Sequence, residues 1–254
     1  MHDKSVRMAC VKKIRNFIFI MVALIGVGSC ASIEEVEMDE EMDNQNEEID
    51  VNENDDKTLI TFLALGDSYT IGQGVPENLR WPNQLKTELL KSDKNISDID
   101  FIAQTGWTTS DLLLAIEGEK PETHDLVSLL IGVNNQYQGI PFYVFETEFD
   151  SLLNIAIDLA GNNQRVFVVS IPDYGVTPFA SSFSEQITEE INTYNHYIED
   201  RCKFLGIPFI DVTGISRELG DSNNALANDG LHPSGFQYGK WVEEIIPVVV
   251  ELLD

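Results

Sequence analysis

Three side chains that suit nucleophilic catalysis lie far apart in this sequence. Ser68 follows closely on an apolar run that ends at Gly66, and Asp229 lies three residues before His232. A serine hydroxyl becomes a nucleophile when an adjacent base takes its proton, and a carboxylate on the other side of the base holds the correct tautomer. Ser68, His232 and Asp229 therefore predict attack by a serine, provided that the fold brings them together.

Such an attack also needs hydrogen-bond donors for the oxygen that becomes negatively charged. The backbone N–H groups of Ser68 and Gly106 and the side-chain amide of Asn134 are the candidates. Each preorganised donor of this kind stabilises the transition state by roughly 2.7–4 kcal/mol. These residues lie in short polar segments that directly follow apolar runs, and together they predict an oxyanion hole.

The elements that must position these residues alternate between strand-like and helix-like patterns. Predicted strands cover residues 59–65, 99–103, 126–131, 166–171 and 207–212. Predicted helices cover residues 78–91, 109–116, a long segment after Pro141, residues 185–204, and a segment after Pro233 that Pro247 is expected to kink or interrupt. This alternation predicts a three-layer α/β/α sandwich with a five-stranded parallel sheet in a flavodoxin-like arrangement.

Ligands of parallel sheets bind beyond the carboxyl ends of the strands, and the candidate nucleophile and oxyanion donors all follow predicted strands. His124 precedes its strand and so belongs to the opposite edge, while His196 lies within a predicted helix. His232 lies in a turn-rich loop after the last strand, from which it can fold back over the catalytic edge. His232 is therefore the base that the sequence favours for Ser68.

Four sequence blocks in order resemble those of the SGNH hydrolases, the GDSL-type esterase and lipase family. The blocks are Gly66-Asp67-Ser68-Tyr69, Gly106, Gly132-Val133-Asn134-Asn135, and Asp229 with His232. The resemblance extends over roughly residues 59–245. Tyr69 replaces the more usual leucine of the first block, and Asn135 replaces the usual aspartate of the third, a change that bears on hydrogen bonding within that loop.

The resemblance implies the SGNH hydrolase fold and a role for each matching residue. Ser68 corresponds to the nucleophile, His232 to the base and Asp229 to its partner, while Ser68, Gly106 and Asn134 correspond to the oxyanion hole. We expect a serine esterase that acts on carboxylic acyl esters through an acyl-enzyme and uses no cofactor and no metal. An acyltransferase on the same fold and a non-catalytic surface lipoprotein that binds glycan or lipid remain the alternatives.

The substrate is expected to be a small acyl ester, a lipid or an acetylated glycan. The loop over residues 172–183 is the richest source of candidate substrate contacts, through Tyr174, Phe179 and Phe183. Aromatic side chains at these positions suit either an acyl or aryl pocket or a hydrophobic cover over the edge of the sheet. Both interpretations stay open from the sequence.

The N-terminal part of the chain reads as an export signal and a linker. Residues 17–28 form an uncharged run of about 18 Å as a helix, which is short of the roughly 30 Å hydrocarbon core of a membrane. The run ends in a segment that resembles a bacterial lipobox, with Cys30 as the lipidated residue; an ordinary secretory signal is the alternative. We therefore expect a signal peptide over residues 1–29, an acidic tether over 30–56, and a hydrolase domain over 57–254.

This organisation predicts an exported bacterial lipoprotein of the cell envelope, held at the membrane by a lipid anchor on Cys30 rather than by a transmembrane helix. The full chain carries a formal net charge of −27, and residues 31–56 contain 13 acidic side chains and no basic one. Such a chain has no basic surface for phosphates, so nucleic acid is not an expected partner. Cys202 is the one cysteine of the predicted domain, so no disulfide is expected within it.

Overall fold

A computed structural model of the chain describes residues 59–254. The predicted signal peptide, the anchor at Cys30 and the acidic tether lie outside the described residues. Within the described part, no helix is both long enough and apolar enough to cross a membrane.

The centre of the structure is a five-stranded parallel sheet with the strand order β2-β1-β3-β4-β5. Its strands are β1 (Ile60–Gly66), β2 (Ile96–Ala103), β3 (Leu126–Leu130), β4 (Val166–Val169) and β5 (Phe209–Ile210). The central strands are almost unbroken apolar runs, and residues 62–65 and 126–130 have essentially no solvent exposure. This is the composition expected of strands covered on both faces, and it confirms the predicted parallel sheet.

Eight α-helices in residues 59–254 surround the sheet. They are α1 (Ser68–Ile71), α2 (Trp81–Leu90), α3 (Thr109–Glu119), α4 (Val133–Tyr137), α5 (Phe142–Ala160), α6 (Ser184–Leu205), α7 (Thr213–Leu219) and α8 (Gly235–Leu253). Helix α2 packs against α8, and its buried Trp81 contacts Phe62 of β1 and Phe167 of β4. Helix α5 packs against α3 and the strands β3 and β4. The predicted α/β/α sandwich is confirmed.

The sheet edges differ most from the predicted boundaries. Strand β2 begins at Ile96, three residues before the predicted start, because its alternation of half-exposed and buried positions suits an edge strand rather than a buried one. At the other edge, β5 comprises Phe209 and Ile210 alone, whereas the sequence predicts a strand over 207–212. An edge strand pairs with one neighbour only, so fewer backbone hydrogen bonds hold it. The apolar run over residues 207–212 is therefore longer than the part that pairs with β4.

Helix α8 continues through Pro247, so the predicted interruption at this residue is wrong. A proline removes one backbone N–H donor from the helix interior. Trp241, Ile245 and Val249, spaced four residues apart, are fully buried along one face of α8. Burial of this stripe offsets the missing hydrogen bond and keeps the helix continuous.

Candidate active site

The candidate nucleophile lies where β1 ends and α1 begins. Gly66 closes the strand where a larger residue has no room, since a Cβ would collide with Thr70 and with the carbonyl oxygen of Leu130. Asp67 caps α1, because its Oδ1 accepts a hydrogen bond from Tyr69 N at 3.0 Å. Ser68 is thereby the first residue of the helix, at the carboxyl edge of the sheet, and is 4% exposed.

The candidate base and its carboxylate form a pair within one short loop. His232 Nδ1 and Asp229 Oδ2 are 2.7 Å apart, and Asp229 Oδ1 accepts hydrogen bonds from the backbone N–H groups of Leu231 and His232, each at 3.0 Å. The loop is closed by a hydrogen bond from Ala227 N to the carbonyl of His232 at 2.8 Å. Because the carboxylate occupies Nδ1, the other imidazole nitrogen, Nε2, is the one left for proton transfer.

Contacts around the carboxyl edge bring these segments together. The rings of Tyr69 and His232 meet edge to face with centroids 5.9 Å apart. A Cβ on Gly74, six residues after Ser68, would lie 3.7 Å from Asp229 Oδ2, so the segment that follows the nucleophile packs against the loop of the base. On the other side, Thr105 Oγ1 donates a hydrogen bond to Gln73 Oε1 at 2.7 Å.

The Ser68 hydroxyl makes no hydrogen bond to another described residue. Bonds between a nucleophile and its base are often long or poorly aligned before substrate binds and shorten in the substrate complex. Asp229 fixes the orientation of the His232 ring, and Tyr69, the residue next to Ser68, packs on that ring.

Three donors at this edge suit an oxyanion hole. Ser68 N lies in the first turn of α1, where N–H groups have no partner within the helix, and Gly106 N likewise bonds no carbonyl among the described residues. Gly106 has φ of +87°, a conformation that favours glycine, and the space around it is open. Asn134 Nδ2 uses one hydrogen on the carbonyl of Trp107 at 2.8 Å, which leaves its second hydrogen for a ligand.

The two aspartates nearest the site titrate in opposite directions. Burial alone would raise the pKa of Asp229, but the hydrogen bonds from the His232 side chain and from two backbone N–H groups lower it below its ordinary value. Burial raises the pKa of Asp67 to about 7, and it outweighs the hydrogen bonds from the backbone N–H groups of Tyr69 and of Asp67 itself, which lower it. Asp67 Oδ2 has no hydrogen-bond partner among the described residues.

The three candidate substrate contacts take different positions in the structure. Tyr174 is buried, and its hydroxyl donates a hydrogen bond to Gln136 Oε1 at 2.7 Å. Phe179 and Phe183 are 42% and 44% exposed. The ring of Tyr137, three residues after Asn134, lies 6.3 Å from Tyr174 and 6.2 Å from Phe179, so an aromatic cluster connects the third block to this loop.

Two other histidines and one cysteine lie within residues 59–254. His124 bonds the carbonyl of Glu122 and Asp100 Oδ2, each at 2.9 Å, and His196 is exposed on α6 beside Asp200. Cys202 is fully buried, and burial raises the pKa of its thiol to about 12, as expected of a packed apolar residue. Within residues 59–254, no group of three or more histidine, cysteine and acidic side chains is arranged to hold a metal ion.

Sequence reasoning missed one group of polar contacts beside the oxyanion donors. The side chain of Asn135 is fully buried against Thr109, and Thr109 in turn bonds Glu148 on α5. The departure at Asn135 points to unusual hydrogen bonding at this loop. No sequence signal identifies Glu148, because it lies on a helix that is recognised only by its apolar stripe.

The sequence model of the GDSL-like lipase/acylhydrolase family matches residues 64–238, which is more than half of the chain. The chain therefore belongs to this family, as the four sequence blocks predict. An arylesterase of Vibrio mimicus is 26% identical over 114 residues, which cover 45% of this chain and 57% of the arylesterase. The chain thus spans little more than half the length of that relative.

Several solved structures share the fold. TesA superposes with a TM-score of 0.58 at 18% identity, over 76% of this chain and 99% of TesA. The acetylxylan esterase Axe2 from Geobacillus stearothermophilus superposes with a TM-score of 0.56 at 16% identity, over 75% of this chain and 94% of Axe2. These similarities confirm the predicted SGNH hydrolase fold.

Proposed function

We propose that this protein is a serine esterase that hydrolyses carboxylic acyl esters. The observation that carries the proposal is the bonded pair of His232 and Asp229, packed on the residue next to Ser68 at the edge where three free donors also lie. Membership of the GDSL-like lipase/acylhydrolase family supports a carboxylic ester hydrolase as the class of enzyme. The geometry of the His232–Asp229 pair supports the base and its partner, and the four sequence blocks support the role of each residue.

The first half of the proposed reaction forms an acyl-enzyme. His232 Nε2 takes the proton of Ser68 Oγ as that oxygen attacks the ester carbonyl, and Asp229 stabilises the imidazolium. The carbonyl oxygen gains the negative charge and accepts hydrogen bonds from Ser68 N, Gly106 N and Asn134 Nδ2. His232 then gives its proton to the alcohol oxygen, the ester C–O bond breaks, and the acyl group stays on Ser68.

The second half repeats these steps with water as the nucleophile. His232 takes a proton from the water while its oxygen attacks the acyl carbon, and the same three donors stabilise the second tetrahedral intermediate. The bond from the carbon to Ser68 Oγ then breaks, and His232 returns the proton to the serine. The products are a carboxylic acid and an alcohol, and the enzyme returns to its starting protonation state.

The substrate class extends from small acyl esters to lipids and acetylated glycans. The exposed rings of Phe179 and Phe183 and the cluster around Tyr174 support contacts with an acyl or aryl group. The names of the similar proteins, an arylesterase and an acetylxylan esterase, support esters with either an aryl or a sugar alcohol. An acyl-length series of nitrophenyl esters, run beside a panel of acetylated glycans, separates these substrates.

The direct experiment compares the purified wild-type domain with Ser68→Ala on short-chain nitrophenyl esters. We expect the substitution to lower kcat by roughly 10⁵-fold or more, because the covalent route is lost. Equal turnover by the two proteins would refute the assignment. Product analysis with an added alcohol distinguishes transfer from hydrolysis, and binding of glycan or lipid without turnover would favour the non-catalytic alternative.

The site of action proposed from the sequence is the cell envelope, reached by export and lipidation at Cys30. Stable anchoring takes two acyl chains, or one acyl chain together with a second membrane-binding feature. Intact-mass measurement of the membrane-extracted protein is the test. A mass without acyl chains would refute the anchor and leave the esterase proposal unaffected.

A further inference from the structure

A chain of three polar side chains lies directly behind the oxyanion donors. Thr109 N donates to Asn135 Oδ1 at 3.0 Å, and Asn135 Nδ2 lies 2.6 Å from Thr109 Oγ1. Thr109 Oγ1 bonds Glu148 Oε2, and the second oxygen of Glu148 accepts from Ser110 Oγ at 2.6 Å. Asn135 and Thr109 are fully buried, so the chain is shielded from competition by bulk water.

The chemistry of these groups fixes the direction of every bond. A backbone N–H can only donate, so the oxygen of the Asn135 amide must face Thr109 N and the nitrogen must face Thr109 Oγ1. That nitrogen is also only a donor, so the Thr109 hydroxyl must accept from it. The single hydroxyl hydrogen is then free for Glu148, whose carboxylate oxygen accepts it.

The same segments carry two of the oxyanion donors. Helix α4, which contains Asn135, bonds the loop before Thr109 through Asn134 Nδ2, which donates to the carbonyl of Trp107 at 2.8 Å. Gln138, directly after α4, adds a bond from its Nε2 to the carbonyl of Gly106 at 3.3 Å. The buried pair of Asn135 and Thr109 is the innermost of these connections. It holds α4 against the first residue of α3, close to the loop that carries Gly106.

We propose that Asn135 and Glu148 are a matched pair of positioning residues for the oxyanion hole, acting through the Thr109 hydroxyl. The inference rests on the proposed function, since it concerns the donors used in that reaction. An aspartate at 135 would present an acceptor to the Thr109 hydroxyl, and one hydrogen cannot serve two carboxylates. The asparagine that departs from the family pattern is thus the residue that suits a glutamate at 148.

If Asn135 and Glu148 are matched, a second substitution at 148 should rescue a substitution at 135, which a simple structural role does not predict. In Asn135→Asp, two carboxylates face one hydroxyl, and one of them is left without a donor in a buried place. Adding Glu148→Gln restores a full set, because the glutamine nitrogen donates to Thr109 Oγ1, the hydroxyl donates to the new aspartate, and the glutamine oxygen accepts from Ser110. The double variant therefore holds the same three side chains with the bonds reversed.

The experiment measures kcat, KM and Tm of the purified domain carrying Asn135→Asp, Glu148→Gln, or both, on one nitrophenyl ester. We expect Asn135→Asp to lower kcat about tenfold or more, with KM within about twofold, because displaced donors act mainly on the transition state. Its Tm should fall by about 2–4 °C or more. The double variant should return to within about threefold of the wild-type kcat and regain most of the lost Tm.

A matched control is Glu146→Gln on the same helix, which removes a carboxylate that does not contact Thr109. Combined with Asn135→Asp, Glu146→Gln should restore neither kcat nor Tm. Failure of Glu148→Gln to raise the Tm of Asn135→Asp would overturn the bonded chain. Recovery of Tm without recovery of kcat would overturn the positioning role. If Ser68→Ala retains wild-type turnover, the proposed function fails and the positioning role with it, while the Tm rescue still reports the bonded chain by itself.

Discussion

Asp67 is adjacent to Ser68 and Asp229 is paired with His232, and their surroundings give the two aspartates opposite properties. Asp67 precedes Ser68, is fully buried, and bonds Tyr69 N through one oxygen while the other has no partner in the described structure. Asp229 lies in an exposed loop, where His232 and two backbone N–H groups bond it. The same side chain is thus held towards its neutral form in one place and its charged form in the other.

A residue that is adjacent in sequence to a catalytic residue does not thereby have a catalytic role. Burial raises the pKa of Asp67 to about 7, whereas hydrogen bonds outweigh partial burial and lower the pKa of Asp229. A partner for an imidazolium must be a carboxylate, and Asp229 meets that condition. Asp67 instead caps α1 and sets the backbone at Ser68. A variant of Asp229 should therefore lose activity, whereas a variant of Asp67 should change the stability of the protein.

The largest effect is expected from Asp229→Asn. The amide cannot stabilise the imidazolium and favours the wrong tautomer of His232, so kcat should fall by roughly 10⁴-fold. The loop's backbone bonds can still be accepted by the amide oxygen, and Tm should change little. Steady-state kinetics and thermal unfolding of the same preparation give both numbers. A loss of less than about tenfold in kcat would remove Asp229 from the mechanism.

The next largest effect is expected from Asn134→Ala. The Asn134 side chain bonds the carbonyl of Trp107 in another loop, whereas Asp229 bonds within its own loop. Loss of one oxyanion donor should lower kcat by roughly 10²–10³-fold with KM little changed, which is a smaller loss than that from Asp229→Asn. Asn134→Asp, which keeps the size but replaces the donor with an acceptor, should be no better than alanine. Activity of either variant near that of the wild type would place the oxyanion hole elsewhere.

Asp67→Asn should act on stability rather than on chemistry. Because the pKa of Asp67 is raised from 3.8 to about 7, the folded protein retains a proton that the unfolded chain releases. This contribution to stability is complete below about pH 4 and is lost as the pH rises to about 7. Urea unfolding at pH 5 and pH 8 should show the wild type losing up to about 2 kcal/mol more than the variant. A difference that does not change with pH would contradict the neutral buried carboxyl.

The smallest effect is expected at the aromatic loop. Phe179→Ala should raise KM for aryl or longer acyl esters by a few-fold and leave kcat for acetyl esters unchanged, because a half-exposed ring contributes contact area rather than chemistry. Phe204→Ala is the matched control, since this ring is 76% exposed at the end of α6, outside the loop. Equal effects of the two variants would remove Phe179 from the substrate site.

The sequence predicts the fold well because the fold depends on strong local patterns. Apolar runs such as residues 62–65 can only be buried strands in this context, and the residues that follow such runs share one edge of a parallel sheet. The pair of Asp229 and His232 is also local, since a three-residue turn places one against the other. Structural features that depend on a few neighbouring residues, such as these strands and this pair, can be predicted from the sequence.

The rest depends on contacts between distant segments. The partner of Thr109 is Glu148, on a helix whose sequence pattern reports only its apolar face. The short ladder of β5 and the continuous helix through Pro247 are likewise set by what packs beside them. The raised pKa of Asp67 follows from complete burial of a residue whose type suggests an ordinary helix cap.

The most direct test of the account labels the purified wild-type domain with a fluorophosphonate and locates the modified residue by peptide mass spectrometry. We predict one covalent adduct, on Ser68, that is absent from Ser68→Ala and forms far more slowly in His232→Ala. The probe reacts with a serine only when a base activates it, so the result reports the assembled site rather than the fold. An unlabelled Ser68, or a label that forms equally well without His232, would contradict the proposed mechanism.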